Sequence, residues 1–97
     1  MVEITEIQIA EWKKKHGDVY KIEVEGHVCY VKSPDRKTLS YAGSIGVKDP
    51  IKFNEIILNN CWLGGDEDIK TDDKLFLGAG QVLGEIIKVA EASIAKL

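Results

Sequence analysis

The chain has 97 residues, with 13 Lys and Arg against 16 Asp and Glu, a net charge of −3 and a hydrophobic fraction of 44%. A domain of this size buries roughly 60 to 65% of its unfolded surface, which supports one modest core and excludes a large two-lobed enzyme. The acidic balance excludes a general attraction to nucleic-acid phosphate, and no apolar run approaches a membrane span.

Thr5 and Gln8 have capping-box spacing, and Ile4 with Ile9 has the spacing of a hydrophobic staple, so a short helix is predicted from Thr5. It runs through Trp12 and Lys13-Lys14-Lys15, whose charge suits a helix C-terminus, and stops at Gly17. From Val19 to Lys32 the period changes to two, and Glu25-Gly26 is the turn of a two-residue β-hairpin. That turn sets Val24 against His27, Ile22 against Cys29 and Tyr20 against Val31, giving one apolar face that needs cover from helices or from another strand, including one from a second copy.

Ser33-Pro34-Asp35 opens a second helix with a narrow stripe of Leu39, Ala42 and Ile45, which Gly43 and Gly46 weaken and end. Asp49-Pro50 repeats the start signal, and Phe53, Ile56, Ile57 and Cys61 place a third helix over about residues 50–60, followed by a loop at Gly64-Gly65. Residues 66–73 hold five acids against one lysine, a net −4, and are read as a solvated acidic loop leading to an N-cap at Thr71. From Asp72 the positions Leu75, Ala79, Val82, Leu83, Ile86, Val89, Ala90 and Ile94 trace an amphipathic stripe, so one long final helix is expected to reach close to Leu97. With no repeat or linker, the prediction is a single α+β domain over 1–97: a helix, a β-hairpin and three further helices.

No chemical signature emerges. An EF-hand loop starting at Asp66 needs Gly where Thr71 stands and Glu where Leu77 stands, so no metal is expected there. Gly78, Gly80 and Gly84 fail the dinucleotide fingerprint at Leu83, so no nucleotide cofactor is expected. Gly80 and Gly84, four apart on one helix face, instead suit close approach by another helix or chain. Cys29 and Cys61 are read as buried thiols, His16 as a helix C-terminal residue and His27 as a strand-edge residue, short of a closed zinc site. No catalytic motif is present, and the expectation is a non-enzyme. Arg36, Lys37 and Lys48 give residues 33–48 a net +2, a weak complement to Asp66, Asp68 and their acidic neighbours. Head-to-tail pairing of copies and two independently solvated surfaces both remain open. Met1-Val2-Glu3-Ile4 does not lead a basic stretch into an apolar one, so an untethered cytosolic chain is expected.

The runs Lys21-Ile22-Glu23-Val24-Glu25-Gly26 and Cys29-Tyr30-Val31-Lys32-Ser33-Pro34-Asp35-Arg36-Lys37-Thr38-Leu39, then Asp49-Pro50 and Cys61-Trp62-Leu63-Gly64-Gly65-Asp66, resemble the small tail assembly chaperones of long-tailed bacteriophages over about residues 19–97. The resemblance implies a non-enzymatic phage or prophage protein of the host cytoplasm that self-associates and binds the helical tape measure protein during tail assembly. Its partner surface is then expected on the last helix, at Gly80, Leu83, Gly84 and Ile87 with Trp62 and Phe76 beside it. Two competing expectations are a small dimeric adaptor or regulatory domain unrelated to phages and a ligand-binding or minor enzymatic domain that uses the acidic loop.

Overall fold

The computed structural model describes residues 4–87 and 92–97. It is an α+β domain in which a three-stranded antiparallel sheet in the order β1-β2-β3 lies between a leading helix and a group of later helices. Helix α1, Glu6–His16, begins as expected: the Thr5 hydroxyl accepts from the Gln8 backbone N–H at 3.2 Å while the Gln8 side chain accepts from the Thr5 N–H at 3.0 Å. It ends where the Gly17 N–H donates to the Lys13 carbonyl. Strands β1, Val19–Val24, and β2, His27–Lys32, pair in the predicted register, from Val24 opposite His27 to Val19 opposite Lys32. Positive φ at Glu25 and Gly26 makes the two-residue turn.

Helix α2, Arg36–Gly46, is capped by Asp35, which accepts from the Thr38 N–H at 2.7 Å. Helix α3, Pro50–Cys61, is capped by Asp49, which accepts from the N–H groups of Ile51 and Lys52. The loop expected at Gly64-Gly65 is instead strand β3, Trp62–Gly65, antiparallel to β2 with an irregularity between Tyr30 and Val31. Four residues, two of them glycine, carry no strand periodicity. The pairing comes from a close approach in which Gly65, at φ +133°, lies where a Cβ would sit 2.5 Å from the Cys29 Cα.

Two further expectations are corrected. The acidic segment is not wholly a solvated loop, because Asp68–Thr71 form a short helix, α4, whose Ile69 is fully buried. Thr71 belongs to that turn, and the cap of the next helix falls one residue later, on Asp72, which accepts from the Leu75 N–H. The long final helix is also not formed: helix α5 spans only Asp73–Gly80, and a 3-10 helix, Leu83–Ile86, follows. Gly78 and Gly80 weaken the helix, and Gly78 lets Val24 pack where a Cβ would come within 2.9 Å. The turn at 81–82 then redirects the chain so that Leu83 and Ile86 still enter the core. Val89 and Ala90 lie outside the described residues, while Ile94 and Leu97 are fully exposed and outside any regular element.

The core lies on the sheet face that carries Ile22, Cys29 and Val31, closed by Ile57 and Leu58 of α3, Ile69 of α4, Leu75 and Ala79 of α5, and Leu83. Trp12 of α1 packs on the opposite face, with its ring centroid 5.9 Å from that of Tyr30. Helix α2 packs chiefly on α3, which leaves its far side open.

Candidate functional site

Among the described residues, a group of His and Asp side chains close enough to share a ligand lies at the turn end of the hairpin. His27 opens β2, and Asp66 follows β3 directly, with its N–H donating to the Val28 carbonyl at 2.9 Å. That backbone bond brings the Asp66 carboxylate to His27, whose Nδ1 is 2.5 Å from Asp66 Oδ2. The other carboxylate oxygen accepts from the Asp68 N–H at 3.0 Å, in an Asx turn that leads into α4. Ligand atoms of His27, Asp66 and Asp68 all fall within 4.8 Å of one another.

The Asp66 hydrogen bond raises the His27 pKa above its ordinary value, helped by the negative charges of Asp66, Asp68 and Asp72 against a smaller opposing effect of desolvation. Asp66 is held below the usual carboxylate range, first by the His27 bond and then by the Asp68 N–H. Protonated His27 therefore donates to an ionised Asp66 in a charge-assisted pair. Three such groups suffice to begin a divalent-cation site, but Nδ1 and both Asp66 oxygens are already engaged within the cluster, and a cation would have to displace those bonds. The arrangement works as a latch that ties the hairpin turn to the β3–α4 junction. Sequence reasoning treated His27 and the acidic segment separately, and their 39-residue separation offered no signal for pairing.

The residues expected to bind a partner differ in exposure and surroundings. Leu83 is buried at 2% exposure, and Phe76 packs on the core. Trp62 stands in β3 with the Lys70 ammonium 4.2 Å from its ring centroid. Gly80 lies against Asn54, Gly84 is exposed in the 3-10 helix with open space around it, and Ile87 is half-buried beyond it. Arg36 and Lys37 line a shallow groove on α2 with Asp35, Ser40, Tyr41 and Ser44, on a different element from Asp66 and Asp68.

Sequence reasoning did not single out the exposed apolar side chains of α2, α3 and the turn between them: Tyr41 is 57% exposed, Val47 83% and Ile51 54%, with Ile45 less so. A signal was present in Tyr41 and Ile45, four apart on α2, beside the Leu39 and Ala42 stripe that turns inward. Both cysteines are buried, and desolvation raises Cys29 to about 12 and Cys61 to about 11, so each is a neutral thiol at physiological pH. Among the described residues no helix is long and apolar enough to cross a membrane. No family model, curated protein or solved structure matches the chain.

Proposed function

We propose that this chain is a non-enzymatic, protein-binding assembly chaperone of the phage tail kind, acting in the host cytoplasm on apolar helical segments of a tape measure protein. The observation that carries the reading is the set of exposed apolar side chains on one helix pair, Tyr41, Val47 and Ile51, with Arg36 and Lys37 lining a groove beside Tyr41. Such a surface suits an amphipathic helix that lays its apolar side on α2 and α3 and sets acidic flanking residues against the two cations. The neutral buried thiols and the committed His27–Asp66 pair fit structural use of the groups most capable of chemistry.

The test is co-expression with long amphipathic fragments of a candidate tape measure protein, followed by size-exclusion chromatography with light scattering. A soluble complex is expected with the wild type, and the double substitution Tyr41→Ser with Ile51→Ser should release the fragments while leaving the circular dichroism spectrum unchanged. Fragments that stay insoluble beside a folded chain would overturn the reading. A second reading, a dimeric adaptor unrelated to phages, draws on the regular outer strand β1, and a dimer indifferent to every helical fragment would favour it.

A further inference from the structure

The sheet has two edges of unequal quality. The outer strand β3 has four residues, contains Gly64 and Gly65, and pairs irregularly with β2. These are the features by which proteins blunt an edge against further pairing. The opposite edge, β1, has six residues, no proline and no bulge, and among the described residues no strand pairs with its outer side. A hairpin with a two-residue loop closes on a hydrogen-bonded pair, here Val24 with His27, and bonded and non-bonded pairs then alternate along the strands. The N–H and C=O groups of Lys21 and Glu23 therefore point away from β2, toward the open edge.

We propose that a second copy of this chain docks on this edge, β1 against β1, antiparallel and two-fold symmetric about Ile22. In that register Lys21 of each copy faces Glu23 of the other, and the two residues exchange the outward backbone hydrogen bonds while their side chains form opposite-charge cross-strand pairs. Ile22 faces its own copy, and Tyr20 faces Val24, which continues the apolar side of the hairpin across the junction. A slip of two residues either way centres the pairing on Lys21 or on Glu23, sets that residue against its own like charge and breaks the Lys21–Glu23 pairs, while Glu25, in the turn at positive φ, lies beyond the strand, so charge favours one register. Within one protomer the Lys21 ammonium and Glu23 carboxylate are 3.8 Å apart and both exposed, so the two side chains that flank Ile22 on the strand balance in charge. A small groove runs between this edge, at Tyr20 to Glu23, and the segment Val82 to Ile86, where Val82 is 38% exposed and Ile86 is buried. The inference stands apart from the proposed partner, because its test uses this chain alone.

The experiment is sedimentation velocity and light scattering over a concentration series reaching about 1 mM. The wild type is expected to form a dimer, and Lys21→Glu and Glu23→Lys, each folded by circular dichroism, are each expected to weaken it about tenfold or more. An equal mixture of the two variants should recover a dimer of wild-type strength, because the facing positions then carry opposite charges again. A wild type that stays monomeric throughout, a dimer indifferent to both substitutions, or a mixture of folded variants that fails to recover would each overturn the proposal.

Discussion

The hairpin and the segment from Trp62 to Ile86 are held in place by different kinds of information. Gly26 and Gly65 show the contrast, since both have positive φ. Gly26 serves a turn defined by its immediate neighbours, and a Cβ added there meets nothing within 4 Å. Gly65 serves a contact with a residue 36 positions earlier, and a Cβ added there would lie 2.5 Å from the Cys29 Cα and 2.6 Å from the Val28 carbonyl oxygen. Local chemistry fixes the first conformation, and the packed sheet fixes the second.

The sharpest way to break this comparison is to substitute both glycines with alanine. Gly65→Ala combines backbone strain with forced separation of β2 and β3, and should destabilise by more than about 3 kcal/mol in urea unfolding. Gly26→Ala bears only the left-handed backbone cost, about 1 to 2 kcal/mol. Equal losses would show that the close approach at Gly65 relaxes freely.

Next in size is Ile69→Ala. This side chain is fully buried although it sits in a four-residue helix amid acidic residues, and its truncation should cost about 2 to 5 kcal/mol. Ile7, on the regular and strongly capped helix α1, is 73% exposed, and Ile7→Ala should change stability by no more than about 0.5 kcal/mol. The pair separates the regularity of an element from its energetic weight. A smaller effect tests the local signals directly: Asp49→Ala removes the acceptor for two N–H groups of α3 and should cost about 1 kcal/mol, read as a shift in the unfolding midpoint.

The same division explains what could be read from the sequence. Thr5 with Gln8, Asp35, Asp49-Pro50 and Glu25-Gly26 act on neighbours within a few residues, and each marks a boundary that the structure keeps. Leu75, Ala79, Leu83 and Ile86 were legible as apolar positions, and all four are buried. Their geometry was not, because helical periodicity remains roughly in phase across a short turn and so did not reveal the break after Gly80. Strand β3 and the His27–Asp66 contact depend on the sheet having already formed. For the same reason Leu83, expected at a partner surface, lies in the core, while Tyr41 and Ile51 stand outside it.

The smallest predicted effect concerns the hydrogen bond between His27 and Asp66, which joins the two regions through their side chains. His27 has its pKa raised above 6.5 in the folded chain, so its contribution to stability is complete below pH 6.5 and is lost as pH rises through the folded value. Asp66 has its pKa lowered below 3.8, so its contribution is complete above pH 3.8 and is lost as pH falls through its folded value. Between pH 3.8 and 6.5 both are in force, and there the stability difference between wild type and His27→Gln should be largest. Above that window neutral His27 can still donate from Nδ1, but without its charge, so the difference should shrink as pH rises through the folded value, without reversing. The His27 side chain is one-third exposed, so solvent screens the pair and keeps the effect below that of the buried contacts. Urea unfolding at several pH values measures it. A difference independent of pH would mean that hydrogen-bond shape alone, and not charge, fastens the hairpin turn to the segment that follows β3.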